Sequence, residues 1–457
     1  MKNPLQKPLY SQSLVVDLYE LTMAAAYHEN DFNEPATFEM FVRDMPGKRN
    51  YLVAAGLCQV LEYLDDLRFE TGEIEYLRDL PVFRHVQDTF WKYLSNFHFS
   101  GEVWAVPEGQ IVFAGEPLLR VTAPIIEAQI VETFLLSMVN FQTMIASKAA
   151  RVVHAAGLDG KSRGVMEFGS RRAHGPQSSL LAARAAYIGG CMGTSNTLAG
   201  KLFNIPVMGT AAHSWVMAFP SEREAFQAYF KVFPEHTILL IDTYDISRGA
   251  QTAAEISSQI KGVRIDSGDL LQESRKVRSI LDEQGLQQVQ IVASGDLDEY
   301  RIQALVQKGA PIDSYGVGTQ LATSADEPYL GGIYKLVQQD INGEVRLRAK
   351  FSPHKSTYPG KKQIYRVMDD EGCFRKDIIG LVMDNIQEDC EELLVQVMKE
   401  GKLIYRLPSL SESREFFYNN LDKVPPRLKA LHKVEDYPVA YSSKLQQLHD
   451  DLKQQAH

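Results

Sequence analysis

The middle of the chain alternates short, almost continuously apolar runs with segments of helical periodicity. Strands that are apolar on both faces are typical of a parallel sheet covered by helices. Successive runs end at Asp242, Asp266, Ser294 and Gly318, 24 to 28 residues apart, which is the spacing of repeated strand–helix units. The pattern predicts an α/β fold, an irregular (β/α) barrel of about seven parallel strands. The runs are residues 164–168, 189–194, 206–210, 237–242, 262–266, 289–294 and 313–318.

The segments on either side lack this rhythm, so we expect a smaller α/β domain that combines the N- and C-terminal parts of the chain. The predicted divisions are residues 1–126, 127–345 and 346–457. Two pairs with capping-box spacing, Asp17 with Glu20 and Ser409 with Glu412, predict helix starts. The last part opens with a Lys-rich segment, Lys350–Lys362, which we expect to form a loop that closes over the site.

Composition and charge exclude several classes of protein. Among the 457 residues, Asp and Glu number 58 and Lys and Arg 48, a net charge of −10, which disfavours binding to nucleic acid or to anionic membranes. The N-terminus lacks the apolar core of a signal peptide, and the most apolar helical stretch is too short to span a bilayer. The four cysteines form no CxxC pair. These features predict a soluble protein of a reducing compartment.

Polar and glycine residues collect where the predicted strands end. In a strand–helix barrel the reactive residues lie at the carboxyl ends of the strands, so these positions predict the site. A phosphorylated substrate would need a local cluster of basic residues there, against the acidic charge of the whole chain. The candidates at six strand ends are Phe168, Arg171, Thr210, His213, Asp242, Arg264, Asp266, Gly295, Asp296, Gly318 and Thr319.

Each candidate could have an ordinary structural role instead of a functional one. Arg171 and its neighbour Arg172 could clamp a pyrophosphate or a carboxylate, or form a surface ion pair. The glycines at the ends of the later strands could bring backbone N–H groups to a phosphate, or form ordinary turns. Asp266 and Asp296 could bind ribose hydroxyls or hold magnesium through water, or cap helices; capping is the stronger reading for Asp269.

His213 follows a strand end rich in small residues. An imidazole can act as an acid, a base or a nucleophile, and Asp242 or Asp245 on the next strand could orient its ring. The sequence has no HxH or HExxH spacing that would support a zinc site.

Ten segments in fixed order resemble the nicotinate phosphoribosyltransferase family, over residues 17 to 366. They are DLYELTMAAAY, FEMFVRDMP, EFGSRRAHG, GTSNTLAG, GTAAHSW, IDTYD, GVRIDSGDL, ASGDLDEY, GVGT and KSTYPGKKQIYR.

The resemblance implies an enzyme that makes nicotinate mononucleotide and pyrophosphate from nicotinic acid and phosphoribosyl pyrophosphate. It implies coupling to ATP hydrolysis through a phosphohistidine, a need for magnesium held mainly by phosphates, and classification with the ligases. It also implies a cytoplasmic homodimer of NAD salvage that binds neither nucleic acid nor membrane.

The resemblance also assigns roles to individual residues. His213 corresponds to the phosphohistidine and Asp242 to the residue that orients it. Tyr19, on a first helix that reaches the partner's active site, would stack on the nicotinate ring opposite Phe168. Thr210 and Arg264 match nicotinate-binding positions. The positions matched to ribose, phosphate or pyrophosphate are Arg171, Asp266, Gly295, Asp296, Gly318 and Thr319.

Four alternatives remain at this stage. Nicotinamide phosphoribosyltransferase shares the architecture, but it places an Asp where this chain has Ser195, and an amide needs an acceptor that a carboxylate does not. Quinolinate phosphoribosyltransferase lacks the GTxAHS motif. A non-enzymatic barrel would have lost site residues, and a phosphate-binding lyase or isomerase would need a Schiff-base Lys or a Glu base, for which Glu167 is the best candidate.

Overall fold

The computed structural model describes residues 12–352 and 355–455. Contacts between Cα atoms divide them into two compact units. One comprises the described residues up to Met144 together with those from Tyr329 onward, and the other is Ile145–Pro328. The N- and C-terminal segments therefore fold together, as expected. Because Ile145–Pro328 holds fewer than half of the residues, their unit is the larger one, and the expectation of a smaller domain was wrong. The predicted domain boundaries themselves stay a prediction.

The N-terminal part of the first unit contains helices and short strands in alternation. Its elements are α1 (Leu18–Glu29), β1 (Pro35–Val42), β2 (Leu52–Val53), α2 (Leu57–Asp66), α3 (Thr71–Asp79), α4 (Asp88–Ser95), β3 (Glu102–Ala105), β4 (Ile111–Val112), β5 (Pro117–Pro124), α5 (Ile125–Ile130) and α6 (Glu132–Ala156), which continues into the second unit.

The second unit carries the strand–helix repeats. Its elements are β6 (Gly164–Glu167), α7 (Pro176–Ile188), β7 (Gly193–Thr194), α8 (Thr197–Phe203), α9 (His213–Met217), α10 (Glu222–Val232), β8 (Ile238–Leu240), α11 (Ile246–Ile256), β9 (Gly262–Ile265), α12 (Leu270–Glu283), β10 (Gln290–Ala293), α13 (Glu299–Gln307), β11 (Ser314–Val317) and α14 (Thr319–Ala322).

The C-terminal part returns to the first unit and is mostly β structure. It comprises β12 (Gly332–Ile341), β13 (Glu344–Leu347), β14 (Lys362–Met368), β15 (Phe374–Leu381), β16 (Glu391–Glu392), β17 (Val395–Lys399), β18 (Lys402–Leu403), α15 (Leu410–Lys423), β19 (Val439–Tyr441) and α16 (Ser443–Gln455). Short 3₁₀ helices lie at Pro81–Phe83, Pro234–His236 and Pro426–Lys429.

Strand pairing explains why the two ends of the chain form one unit. The seven-stranded sheet has the order β13-β12-β1-β5-β3-β17-β18, so strands from the N-terminal part pair with strands from the C-terminal part. Every neighbouring pair in it is antiparallel. A second sheet has the order β16-β14-β15-β19, and β2 pairs with β4.

The second unit contains a parallel sheet of six strands in the order β7-β6-β11-β10-β9-β8. The remaining predicted strand, residues 206–210, forms only one bridge, between Val207 and Thr194. Within the described residues β8 pairs with β9 alone, so a closed barrel of seven strands is not confirmed. The apolar pattern locates each run in the sequence, but it does not show how many residues of a run pair with a neighbouring strand.

The two predicted helix starts have different outcomes. Ser409 and Glu412 form the capping box, since the Ser409 hydroxyl accepts from the Glu412 N–H and the Glu412 carboxylate accepts from the Ser409 N–H. Asp17 precedes α1 but makes no side-chain cap. Its expected partner Glu20 instead accepts hydrogen bonds from the N–H and hydroxyl of Thr133 on α6, because burial against α6 competes with the local cap.

None of the helices in residues 12–352 and 355–455 combines the length and hydropathy that a bilayer crossing requires.

A fully buried ion pair joins β14 to β15. Arg366 and Asp377 are opposite each other in the strand register, and their side chains have no solvent exposure. The guanidinium donates to both Asp377 oxygens and to the carbonyl of Ile111. The buried carboxyl of Glu116 lies in the same cluster. Burial, together with the nearby Asp377 carboxylate, raises the pKa of Glu116 well above its ordinary value.

We expect Arg366→Met to lower the free energy of unfolding by about 3–5 kcal/mol, because it leaves Asp377 buried without a cation. Arg375→Met is the matched control: Arg375 pairs with Glu388 on the surface, and its loss should cost about 0–1 kcal/mol. Urea unfolding of the two variants measures the difference. Equal losses would show that the buried pair does not contribute as described.

Candidate functional site

The parallel sheet of the second unit brings the predicted site residues to one edge. Its strands point the same way, so the residues that follow them lie at a common end of the sheet. Phe168 follows β6, Asp266 follows β9 and Ser294 follows β10. His213 begins α9, after the single bridge formed by Val207.

Arg264 on β9 is the centre of a hydrogen-bonded cluster. Its Nε donates to Ser294 Oγ at 2.8 Å, its Nη1 to Thr210 Oγ1 at 2.8 Å and its Nη2 to Asp266 Oδ1 at 2.7 Å. The predicted residues Thr210, Arg264 and Asp266 therefore lie together. Three partners hold the planar guanidinium in one orientation, which leaves part of its fixed fork of donors for a ligand.

The charge of Asp266 is stabilised by the same cluster. Burial opposes ionisation, but hydrogen bonds from Ser294 and Arg264 outweigh it and hold the pKa of Asp266 below its ordinary value. The Asp266 carboxylate is therefore anionic at neutral pH and balances the Arg264 charge. Ser294 ends a predicted strand, but its role in the cluster was missed. A hydroxyl at a strand end was the available signal.

His213 lies between two carboxylates and a hydroxyl. Its Nδ1 is 3.2 Å from Thr243 Oγ1, and its Nε2 is 3.9 Å from Asp242 Oδ1 and 3.8 Å from Asp266 Oδ2. The imidazole is 41% exposed, so a ligand can reach it. Thr243, which the sequence reasoning missed, is the hydrogen-bond partner of the ring. The distance to Asp242 is too long for a direct hydrogen bond.

The Asp242 side chain has no solvent exposure, and one of its oxygens faces the histidine. Its Oδ2 accepts from the N–H of Asp266 and from the hydroxyl of Ser267. Its Oδ1 is buried and has no hydrogen-bond partner in the described residues. Buried carboxylate oxygens are normally paired, so this one is available to a donor that approaches beside His213.

Phe168 presents its ring beside the Arg264 cluster. The Arg264 guanidinium carbon lies 5.9 Å from the ring centroid. On β11, Gly316 packs against the ring so closely that an added Cβ would lie 2.5 Å from two ring carbons. Glycine is required there for the ring to occupy this place.

The turn after β10 is tightly built. Gly295 has φ +99°, and a Cβ on it would lie 2.1 Å from the carbonyl oxygen of Asp266. Asp296 follows with φ +48°, also left-handed, and its side chain is exposed. These two residues therefore place a backbone turn and an exposed carboxylate directly beside Asp266. Gly318 and Thr319 follow β11 and begin the short helix α14.

The structural roles considered for Asp269 and for the two arginines have different outcomes. Asp269 caps α12 by accepting from the N–H groups of Leu271 and Gln272, so capping is confirmed. Arg171 and Arg172 are exposed, and their side chains form no ion pair with any residue that the structure describes. The surface ion pair considered for them is therefore absent from the described chain, and their guanidinium groups are available to an anion.

Tyr19 lies in the first unit, at the start of α1, with 47% of its surface exposed. Partial burial and the carboxylates of Glu132 and Glu20 raise the pKa of its phenol above the ordinary value, so the ring stays neutral. Residues 350–352 and 355–362 of the Lys-rich loop belong to this unit too, while Pro353 and His354 lie outside the described residues. The expected closure of that loop stays a prediction.

No group of three or more His, Cys, Asp or Glu side chains that could hold a metal is found among residues 12–352 and 355–455.

Three family models match successive parts of the chain. They are the nicotinate phosphoribosyltransferase N-terminal domain over residues 14–140, the nicotinate phosphoribosyltransferase family over residues 164–370, and the nicotinate phosphoribosyltransferase C-terminal domain over residues 383–449.

Whole proteins of the same name are similar over nearly their full length. A nicotinate phosphoribosyltransferase of Mycobacterium tuberculosis is 44% identical over 95% of this chain and 92% of its own, and that of Bacillus subtilis is 37% identical over 96% of each. The crystal structure of human nicotinic acid phosphoribosyltransferase superposes with a TM-score of 0.84 at 30% identity, covering 95% of this chain and 99% of that one. These matches show that the chain belongs to the nicotinate phosphoribosyltransferase family.

Proposed function

We propose that this protein transfers the phosphoribosyl group of phosphoribosyl pyrophosphate to nicotinic acid, and couples the reaction to ATP hydrolysis through phosphorylation of His213. The observation that carries the proposal is the Arg264 cluster beside a partly exposed histidine, in a chain whose relatives bear this activity in their names. The products are nicotinate mononucleotide and pyrophosphate.

The nicotinate carboxylate is bound by Arg264 and Thr210 in this proposal. A planar guanidinium held by three partners can present its remaining N–H groups to a carboxylate without reorganising. The Phe168 ring beside it offers an apolar face on which a pyridine ring can stack. Arg264 and Thr210 favour the acid over the amide, because the amide would need a hydrogen-bond acceptor as well as donors.

The transfer step needs charge stabilisation more than proton transfer. The pyridine nitrogen is already a nucleophile, and displacement at the anomeric carbon builds positive charge on the ribose and negative charge on the leaving pyrophosphate. Arg171 is exposed and free of ion pairs in the described residues, as a group that binds pyrophosphate must be. Asp266 and Asp296, with the turns at Gly295, Gly318 and Thr319, would bind the ribose and phosphate groups.

Since no base is required, His213 is free to accept a phosphoryl group. The terminal P–O bond of ATP would break, an N–P bond would form at Nε2, and ADP would leave. The contact of Nδ1 with Thr243 leaves Nε2 as the reactive nitrogen, and Asp242 Oδ1 faces it from a buried position. A phosphoryl group at this place adds negative charge that can rearrange neighbouring arginines.

Magnesium would enter bound to the phosphates of ATP and of phosphoribosyl pyrophosphate. The described residues form no metal cluster of their own, while the exposed Asp296 carboxylate has the hard oxygen ligands that magnesium prefers. When bound, the ion would supply charge neutralisation at the phosphates.

We place the enzyme in NAD salvage in the cytoplasm. All four cysteines are free thiols in the structure, which is compatible with a reducing compartment.

The homodimer is part of the proposal because Tyr19 is half-exposed next to the 50% exposed Leu18. A mixture of Tyr19→Ala and Arg264→Ala chains tests it. If Tyr19 completes the partner's site, random pairing should restore about a quarter of the wild-type sites, because half of the dimers are mixed and each carries one intact site. Activity is measured after co-expression and compared with each variant alone. No recovery in verified mixed dimers would contradict the shared site.

The decisive assay supplies purified protein with phosphoribosyl pyrophosphate, magnesium and either nicotinate or nicotinamide, with and without ATP. We expect nicotinate mononucleotide, faster with ATP, and one pyrophosphate for each product molecule. Product from nicotinamide alone would replace the proposal with nicotinamide phosphoribosyltransferase.

Ser195 tests the choice between acid and amide. It is exposed directly after β7. Ser195→Asp should move the kcat/KM ratio toward nicotinamide by about 10- to 100-fold, since the new carboxylate repels nicotinate and accepts from an amide. Steady-state kinetics with both substrates measure the ratio, and Ser195→Asn is the uncharged control. An unchanged ratio would weaken the assignment of Ser195.

A further inference from the structure

Glu167, the last residue of β6, is a buried carboxyl without a counter-ion in the described residues. It is 1% exposed, and no Lys, Arg or His of the described chain forms an ion pair with it. Burial raises the pKa of Glu167 above its ordinary value, although hydrogen bonds from Thr194 and Gly169 oppose the shift. Burying an ionisable group costs free energy unless it is hydrogen-bonded, so the partners of the Glu167 carboxyl indicate what it does in the fold.

All three oxygens of Glu167, two in the carboxyl group and one in the backbone carbonyl, accept hydrogen bonds at the site edge of the sheet. The carboxyl Oε1 accepts from the N–H of Gly169, and Oε2 accepts from the hydroxyl of Thr194 at 2.6 Å. The backbone carbonyl accepts from the N–H of Ser195 at 3.0 Å. The Thr194 oxygen in turn accepts from the N–H of Asn196 at 3.0 Å. Glu167 therefore joins the turn after β6 to the turn after β7.

These two turns carry the residues proposed to enclose the pyridine ring. The turn after β6 holds Phe168, and the turn after β7 holds Ser195. The first turn is closely packed, because a Cβ on Gly169 would lie 2.3 Å from the Cβ of Ala322 and 2.8 Å from Glu167 Oε1. A change in the Glu167 contacts would therefore move Phe168 and Ser195 relative to each other.

We propose that Glu167 and Thr194 are positioning residues that set the distance between the Phe168 face and Ser195, and so set the selectivity for a flat pyridine carboxylate. This inference rests on the proposed function. The same geometry argues against Glu167 as the base of a lyase, since both carboxyl oxygens are occupied and buried.

Thr194→Val tests the link with Thr194→Ser as the matched control. Valine has the shape of threonine without its hydroxyl, whereas serine keeps the hydroxyl. We expect Thr194→Val to raise the KM for nicotinate by at least about tenfold and to leave the KM for phosphoribosyl pyrophosphate within about twofold, since Phe168 directly follows Glu167 whereas the proposed pyrophosphate-binding residue Arg171 lies further along the chain. Thr194→Ser should stay within about threefold of wild type in both. Equal changes for both substrates, or none in the valine variant, would overturn the inference.

Hydrogen exchange supplies a readout that does not need activity. The amides of Gly169 and Ser195 should exchange faster in Thr194→Val than in Thr194→Ser, while amides in α12 stay unchanged. Unchanged exchange at both amides would overturn the inference. If wild-type protein makes no nicotinate mononucleotide, the proposed function fails, and exchange alone then decides whether Glu167 links the turns.

Glu167→Met is the second variant, for use if Thr194→Val does not fold. Methionine has about the length of glutamate but has no oxygen that could accept from Gly169 or Thr194. We expect the same rise in nicotinate KM together with a wild-type KM for phosphoribosyl pyrophosphate. Wild-type values for both substrates would count against the positioning role.

Discussion

Arg264→Met should lower kcat/KM for nicotinate by on the order of 10²–10³-fold, which is what losing one partner of a hydrogen-bonded charge pair costs. The side chain carries the positive charge proposed to meet the nicotinate carboxylate, and it also holds Thr210, Asp266 and Ser294. Methionine keeps most of the apolar length but supplies no donor. The Asp266 carboxylate then faces the site unbalanced and repels an anionic substrate.

Arg264→Lys separates charge from geometry. Lysine keeps the cation but lacks the planar fork, so it cannot hold three partners at once. We expect an intermediate loss, with KM affected more than kcat. Lys276→Met is the control, because Lys276 is an exposed residue of α12 whose one ion-pair partner among the described residues is Glu273. Comparable losses in Lys276→Met and Arg264→Met would mean that the effect is one of general charge, and would contradict the specific carboxylate contact.

The sequence predicted the parallel sheet well because its signal is local. Most residues of each predicted run are apolar, and each run is followed by polar residues or glycine, so the strand ends that surround Arg264 could be named in advance. Ser294 and Thr243 were missed as partners because hydrogen bonding between strands depends on their order in the sheet. That order is set by packing, and no residue type reports it.

The remaining errors also concern competition between local and distant contacts. Asp17 and Glu20 have the spacing of a capping box, yet Glu20 binds Thr133 across 113 residues. The apolar run at residues 206–210 forms a single bridge at Val207, since a run's composition does not determine its pairing. Glu167 was considered only as a base, because its isolation from solvent and its contact with Thr194 exist only in the folded chain.

His213→Ala should abolish ATP hydrolysis and the ATP-dependent rate increase while leaving weak transferase activity, within about tenfold of the wild-type rate without ATP. Nothing in the transfer to the pyridine nitrogen requires the imidazole, since that nitrogen needs no base. The methyl group of alanine leaves Thr243 and Asp242 Oδ1 without the ring between them but does not touch the Arg264 contacts.

Two measurements decide the role of His213. Incorporation of the labelled terminal phosphate of ATP into protein should fall to background in His213→Ala. It should persist in His236→Ala, because the His236 imidazole is exposed and precedes β8, away from the carboxyl ends of the strands. Nicotinate mononucleotide formation without ATP should survive in both variants. If His213→Ala loses both activities equally while its unfolding transition is unchanged, the histidine takes part in phosphoribosyl transfer itself. If only the phosphate label and the ATP effect are lost, energy coupling and glycosyl transfer are separable functions of neighbouring strand ends. Asp266 would then connect the two, because it lies next to both His213 and Arg264.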